Sequence, residues 1–305
     1  MQQEAPAHKA QKGPRVFLDY TQSELDAAYD QSKYAPNQPQ LGKRREINST
    51  LVRSRIGDPE RFAYGPTEIE KLDVFRAHRP NAPILVFIHG GAWRNGLARD
   101  HAYPAEMFTT AGANFVVPDF VLVQDCGRSL FPIVDQVRRA VAWAYQNAAR
   151  YGGDPNRFYL CGHSSGSHLA SCVLITDWQK EFGLPQDFIK AALLCSGMYD
   201  LKGPRLSARS NYVDFTDEME EKLSAIRHLD MIRCPVTVGY GTCETPEFQR
   251  QARDFHAALK AAGKPAQLMV GEQYNHFEMS ETLNNPFVVA GRAALEMMGL
   301  QFKPA

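Results

Sequence analysis

A serine between two glycines is the feature of this chain best suited to nucleophilic chemistry. The motif GHSSG occupies residues 162–166, directly after an apolar run and before a predicted helix. In a sharp strand-to-helix turn of this kind, a side chain at either glycine would collide with neighbouring backbone, and the serine hydroxyl is exposed at the edge of the sheet. The helix N-terminus adds free N–H groups and a positive dipole end. The pattern therefore predicts Ser164 as a nucleophile.

A second glycine-rich loop indicates where a developing negative charge would be held. HGGAW occupies residues 89–93, at the end of an earlier apolar run. Glycines let the backbone approach a substrate closely, and backbone N–H groups stabilise the oxyanion of acyl transfer. We predict an oxyanion hole formed by the N–H groups of Gly91, Ala92 and Ser165, with Gly90 as the fallback donor.

A serine hydroxyl needs a base within hydrogen-bond reach, and the chain offers nine histidines. His276 follows the last predicted strand, where a loop histidine can reach the nucleophile. His89 and His163 belong to the two glycine-rich loops, and His168 lies on the helix that follows the serine. We predict His276 as the base and a structural role for the other three.

The base in turn needs a carboxylate that fixes its tautomer, and in chain order this acid is expected between the serine and the histidine. Glu244 lies just past the predicted strand 235–241 and fits that order. Glu247, inside the next predicted helix, and Asp200, after the preceding strand, are the alternatives. We predict Glu244 as the acid.

Two aromatic residues and one arginine stand next to these candidates. Trp93 follows the oxyanion loop and Phe277 follows the base, so each is a candidate wall of the substrate pocket or a plain core residue. Arg94 also has two possible roles: it could bind a substrate carboxylate, or it could form a structural ion pair. We assign Trp93 and Phe277 as substrate-binding candidates.

The elements that must position these residues alternate between strands and helices. Such alternation predicts an α/β fold with a mostly parallel sheet covered on both faces, and reactive groups gathered beyond the carboxyl ends of its strands. Eight strands are expected, over 47–56, 71–77, 83–90, 113–120, 157–163, 190–196, 235–241 and 266–271. Helices are expected over 21–30, 101–112, 132–150, 165–177, 246–262 and 285–299.

At these motifs the chain resembles the α/β-hydrolase superfamily, and more closely its branch of hormone-sensitive-lipase-like carboxylesterases and kynurenine formamidases (arylformamidases). The resemblance covers roughly residues 16–300, although the family acid is usually Asp where Glu244 stands. The segments that carry it are LDYTQSELDAAYDQSKYAP (18–36), HGGAW (89–93), YGGDPNRFYLCGHSSGSHLA (151–170), TPEFQRQ (245–251) and NHF (275–277).

The resemblance implies the α/β-hydrolase fold and serine hydrolysis through an acyl-enzyme, without cofactor or metal. It also suggests a homodimer. We expect a carboxylesterase for small or aromatic esters, or alternatively an arylformamidase or amidase that acts on N-formylkynurenine or related aryl amides. A non-catalytic binding protein is disfavoured because every position of the triad is filled.

Composition and charge bound the remaining possibilities. Lys+Arg and Asp+Glu both number 34, so there is none of the basic excess of a dedicated nucleic-acid binder. No apolar run approaches the roughly 18 residues of a membrane span, and residues 1–15 contain no apolar leader segment. We expect a cytoplasmic protein, although an exported one with its leader removed would look the same.

The chain length fits one α/β domain. We expect a disordered tail over 1–14 and a single domain over 15–305, with residues 18–45 as a small cap over the site. The stretch 121–131 is a second cap candidate.

Overall fold

An eight-stranded sheet forms the centre of the structure, a computed structural model that describes residues 13–302. Its order is β10-β9-β8-β7-β5-β6-β4-β3, and every neighbouring pair is parallel except β3–β4 and β4–β6. These strands are β3 (Glu60–Ala63), β4 (Lys71–Phe75), β5 (Ala82–Ile88), β6 (Asn114–Pro118), β7 (Gly153–His163), β8 (Ile189–Cys195), β9 (Val236–Gly241) and β10 (Ala266–Gly271). The short strands β1 (Arg15–Phe17) and β2 (Tyr20–Thr21) pair separately. The predicted mostly parallel α/β sheet is confirmed.

Two apolar cores cover the two faces of this sheet. Strand β5 is buried throughout, and its side chains alternate between the cores: Ile84 and Val86 join one, while Leu85 and Phe87 join the other. This alternation is the period of two that a central strand imposes, with helices on both sides.

Eleven α-helices are found among the described residues. They are α1 (Gln22–Ala28), α2 (Gln38–Ile56), α3 (Ala105–Thr110), α4 (Phe131–Gln146), α5 (Ser165–Leu174), α6 (Trp178–Phe182), α7 (Lys202–Leu206), α8 (Asp217–Lys222), α9 (Pro246–Ala261), α10 (His276–Glu281) and α11 (Val289–Met297). Short 3₁₀ turns include Gln31–Lys33, between α1 and α2. In residues 13–302, no helix combines the length and the apolar character that crossing a membrane requires.

The first edge strand of the sheet was predicted at the wrong place. Residues 47–56, expected as an edge strand, form the second half of α2, and the edge strand is β3 instead. The β-branched residues of 47–56 imitate a strand pattern, but α2 has a proline in its first turn and a glycine at its C-cap. The predicted tail over 1–14 lies outside the described residues except for residues 13 and 14, which have no regular structure.

The carboxyl ends of the strands bring the chemically interesting residues to one edge of the sheet. Strand β5 ends before the HGGAW loop, and β7 runs into the GHSSG turn. Strands β9 and β10 end before Glu244 and His276. Residues far apart in the chain therefore share one site.

Candidate active site

The turn that carries Ser164 has the geometry that its glycines predict. Ser164 has φ 59° and ψ −128°, outside the usual regions for a residue with a side chain. A Cβ on Gly162 would lie 2.6 Å from the Gly166 oxygen, and a Cβ on Gly166 would lie 2.0 Å from the Ile88 oxygen. The strained serine conformation thus depends on glycine at both flanking positions.

A continuous hydrogen-bonded chain joins Ser164, His276 and Glu244. The His276 Nδ1–H donates to Glu244 Oε2 over 2.8 Å, which leaves Nε2 as the acceptor for the Ser164 hydroxyl, also over 2.8 Å. Both His276 and Glu244 are buried, at 4% and 1% exposure. This arrangement can withdraw a proton from the serine oxygen and hold the resulting imidazolium against a carboxylate.

The second oxygen of Glu244 is held by groups of the central sheet. Glu244 Oε1 accepts hydrogen bonds from the Ser196 hydroxyl (2.6 Å) and the Gly241 N–H (2.7 Å). Ser196 directly follows β8, is fully buried and has φ 56°. Sequence reasoning missed Ser196, although its position after a buried strand of the sheet was the available signal.

The two alternative acids occupy other environments. Glu247 is buried in a two-bond ion pair with Arg250 and accepts a hydrogen bond from the Tyr29 hydroxyl. Asp200 is half-buried and lies 3.4 Å from Arg227. Both carboxylates therefore have structural partners, and the structure brings only Glu244 of the three against His276.

The HGGAW loop lines the same cavity as Ser164 and has an uncommon backbone conformation. Gly91 has φ 128° and Ala92 has φ 55°. A Cβ on Gly91 would lie 1.9 Å from the Asn95 oxygen, so glycine is required there. Within residues 13–302 the N–H groups of Gly91 and Ala92 have no protein acceptor, and Ser165 is the first residue of its helix. These groups are therefore free to act as donors to an oxyanion.

The three other candidate histidines have buried partners. His163 Nε2–H donates to the His276 carbonyl over 2.9 Å, and burial, followed by the charge of His276, lowers the pKa of His163 well below its usual range. Burial lowers the pKa of His168 to about 4. The His89 ring stacks between His101 and Phe120.

A cavity of about 1230 Å³ is lined by Ser164, His276 and Phe277. Phe277 makes an edge-to-face contact with the His276 ring, with 5.3 Å between the ring centres. Residues of the predicted cap, among them Gln31, also line the cavity, whereas residues 121–131 do not. The lining also includes four residues that sequence reasoning did not foresee: Ala208, Arg209, Asn211 and Tyr212.

Of the two roles left open for Trp93, the structure supports core packing. Its side chain is 1% exposed, is not among the cavity-lining residues, and donates from Nε1 to His168 Nδ1 over 3.2 Å. The Trp93 backbone N–H donates to Ser165 Oγ. The prediction that the Trp93 ring walls the pocket is therefore corrected: the buried indole braces the oxyanion loop against α5.

Both acidic and basic side chains line the cavity, and its three arginines have no acidic partner in the described part of the chain. Arg45, Arg94 and Arg209 all line it, and none of them pairs with a carboxylate among residues 13–302. Arg94 instead lies over the Tyr212 ring at 4.6 Å, and Arg209 donates to the Tyr212 hydroxyl over 2.7 Å. The structural ion pair considered for Arg94 is not formed within the described part of the chain.

Comparison with known proteins places the chain in a family. The BD-FAE family model matches residues 72–195. The kynurenine formamidase of Danio rerio is 30% identical over 293 residues, which cover 92% of this chain and 97% of that protein. Esterase LipQ of Mycobacterium tuberculosis is 32% identical over 225 residues, which cover 66% of this chain and 52% of LipQ.

Solved structures show the same fold. A protein from Silicibacter sp. TM1040 matches with a TM-score of 0.77 at 22% identity, covering 87% of this chain and 96% of that one. The esterase of Pyrobaculum calidifontis matches with a TM-score of 0.67 at 19% identity, covering 87% and 92%.

The chain therefore belongs to the α/β-hydrolase superfamily, in the branch of hormone-sensitive-lipase-like carboxylesterases and arylformamidases. It is an ester or amide hydrolase.

Proposed function

We propose that the protein is a serine hydrolase that cleaves small or aromatic carboxylic esters through an acyl-enzyme. The observation that carries the proposal is the buried chain of two 2.8 Å hydrogen bonds from Ser164 through His276 to Glu244. A hydroxyl in this setting has a base at its oxygen and an acid that orients the base.

The reaction proceeds in two halves. Ser164 Oγ attacks the carbonyl carbon while His276 Nε2 takes the hydroxyl proton, and the Gly91, Ala92 and Ser165 N–H groups hold the oxyanion. His276 then returns the proton to the leaving alcohol or amine as its bond to carbon breaks, which leaves an ester on Ser164. Water, deprotonated by His276, attacks that ester and releases the carboxylic acid and the free serine.

A substrate panel tests this proposal. A p-nitrophenyl ester series, simple anilides and N-formylkynurenine are assayed with wild-type protein and Ser164→Ala. We expect ester turnover by the wild type that the serine variant lacks. Equal turnover by the two proteins would overturn the mechanism.

Separate substitutions of Glu244 and Glu247 test which of the two glutamates is the acid of the triad. Glu244→Ala is expected to lower kcat/KM by about 10³- to 10⁴-fold, because His276 loses the carboxylate that orients it. Glu247→Gln is expected to lower the melting temperature, because it breaks the buried pair with Arg250, while kcat/KM falls less than about threefold. Ester hydrolysis and thermal unfolding are measured on both variants. A greater kinetic loss in Glu247→Gln would make Glu247 the acid instead.

A second candidate function is hydrolysis of a carboxylate-bearing aryl formamide such as N-formylkynurenine. It is supported by the match to the Danio rerio kynurenine formamidase, which covers nearly the full length of both proteins. It is also supported by Arg45, Arg94 and Arg209, which line the cavity without a carboxylate partner within residues 13–302. A guanidinium binds a carboxylate through charge-assisted hydrogen bonds in a fixed geometry, so each of these three arginines could hold the carboxylate of such a substrate.

The Arg45 guanidinium offers a direct test of the second candidate. Arg45→Met is expected to raise KM for N-formylkynurenine by about 10- to 100-fold, since a charge-assisted hydrogen bond contributes about 1.5–3 kcal/mol. KM for a neutral p-nitrophenyl ester should change less than about twofold. Lys43→Met, an exposed neighbour on the same helix, is the matched control. Equal effects of Arg45→Met on both substrates would count against a carboxylate site at Arg45.

A further inference from the structure

One short segment of the chain contacts both loops that carry the acid and the base. We call residues 22–45 the cap segment; it comprises α1, the 3₁₀ turn Gln31–Lys33 and the first part of α2. Near its start, the Tyr29 hydroxyl donates to Glu247 in α9. Near its end, Arg44 pairs with Glu281 in α10. The segment is thus attached at two points, to the helix that follows Glu244 and to the helix that begins at His276.

Gln31 is the point at which the cap segment meets the acid. Its side chain is 6% exposed, and its Oε1 accepts the Thr245 N–H over 3.2 Å. Its Nε2 donates toward Glu244 Oε2 at 3.4 Å and toward Thr245 Oγ1 at 3.3 Å. Glu244 Oε2 is the same oxygen that accepts from His276 Nδ1. Gln31 therefore fixes the backbone beside the acid and adds a donor to the oxygen that orients the base.

Asn37 is the point at which the cap segment meets the base. The Asn37 amide donates to Glu278 Oε1, and its oxygen accepts from Asn275 Nδ2, both over 2.9 Å. Asn275 caps α10 by accepting the N–H groups of Phe277 and Glu278, and Glu278 Oε2 accepts the Asn275 N–H. Asn37 thus closes a ring of hydrogen bonds around the helix end whose first residue is His276.

We infer that Gln31 and Asn37 are positioning residues for hydrolysis, through which the cap segment holds Glu244 and His276 in line. The inference rests on the proposed function, since it needs these two residues to act as acid and base. Their loops follow different strands, and the cap segment contacts both through fixed amide groups. A displacement of about 1 Å between reacting groups costs on the order of 10²-fold in rate, so this alignment has a measurable kinetic effect.

Gln31→Met is the first test, because methionine keeps the length of the side chain and removes the amide. We expect kcat for p-nitrophenyl ester hydrolysis to fall about tenfold, with KM changed less than about twofold. Gln40→Met, an exposed glutamine on the same segment outside the cavity, should match the wild type. A raised KM with unchanged kcat would overturn the inference, because it would make Gln31 a cavity wall only.

A double-variant comparison asks whether Gln31 acts through the acid. When Glu244→Ala has already removed the carboxylate, adding Gln31→Met should cost less than about twofold. A full tenfold loss in that background would contradict the inference.

Asn37→Asp covers the case in which Gln31→Met does not fold. The variant keeps the side-chain oxygen that accepts from Asn275, but it replaces the amide that donates to Glu278 with a second carboxylate oxygen, which repels Glu278. We therefore expect kcat to fall about three- to tenfold with little change in KM. Wild-type kcat in this folded variant would overturn the role of Asn37. Ser164→Ala distinguishes failure of the proposed function from failure of the present inference. If this variant stays active, the proposed function is wrong. If it is inactive while Gln31→Met and Asn37→Asp both match the wild type, only the present inference is wrong.

Discussion

Ser164→Ala is expected to lower kcat/KM for ester hydrolysis by about 10⁴- to 10⁶-fold, the loss typical of removing the nucleophile of a serine hydrolase. Without the hydroxyl no acyl-enzyme forms, and hydrolysis then depends on direct attack by water beside the oxyanion donors. The fold should survive, because the Ser164 hydroxyl contacts His276 and the strained turn depends on Gly162 and Gly166. Steady-state kinetics and circular dichroism of the purified variant measure both expectations.

Ser171→Ala is the matched control for this variant. Ser171 is a buried serine on α5, and its hydroxyl donates to the His168 carbonyl rather than facing the cavity. We expect this control to keep kcat/KM within about threefold of the wild type. Comparable losses in the two variants would indicate that the effect of Ser164→Ala comes from disturbance of the helix.

His276→Ala is expected to have an effect of the same size. The imidazole is the hydrogen-bond acceptor of the Ser164 hydroxyl, and the serine without its base is a poor nucleophile. Because the two groups act as a unit, the Ser164→Ala/His276→Ala double variant should be within about threefold of either single variant. Kinetics of the three proteins on one ester measure this non-additivity. Additive losses would mean that serine and histidine act in separate steps.

Substitutions of two other histidines are compared with His276→Ala. His78→Ala, at an exposed position, should match the wild type. His163→Ala removes the hydrogen bond to the His276 carbonyl, so we expect an intermediate loss of about tenfold. A larger loss in His163→Ala than in His276→Ala would exchange the roles assigned to these two residues.

The features that could be predicted from the sequence are those that depend on local sterics or on the ends of buried strands. Gly162 and Gly166 are required because backbone atoms lie within 2.6 Å of where their Cβ atoms would stand, and that requirement marks the turn in any sequence of this type. The apolar runs identified the central parallel strands and hence their shared edge. Chain order then selected Glu244 and His276, and the structure brings both to Ser164.

The features that could not be predicted depend on contacts between distant parts of the chain. Gln31 and Glu244 are 213 positions apart, and nothing in the polar segment around Gln31 indicates that its amide is buried against a carboxylate. The second half of α2 was predicted wrongly because its β-branched residues imitate an edge strand, and the proline and glycine that bound the helix were the signals against a strand. Trp93 could not be assigned between pocket and core, because both roles suit a tryptophan beside a glycine-rich loop.

Covalent trapping of the nucleophile tests the central proposal most directly. Wild-type protein is inactivated with a p-nitrophenyl phosphonate ester, digested and examined by mass spectrometry, alongside Ser164→Ala and His276→Ala. The proposal predicts one phosphonate per inactivated chain, located on Ser164, absent from the serine variant and formed far more slowly in the histidine variant. Complete inactivation with Ser164 unmodified, or with the phosphonate on another residue, would contradict it.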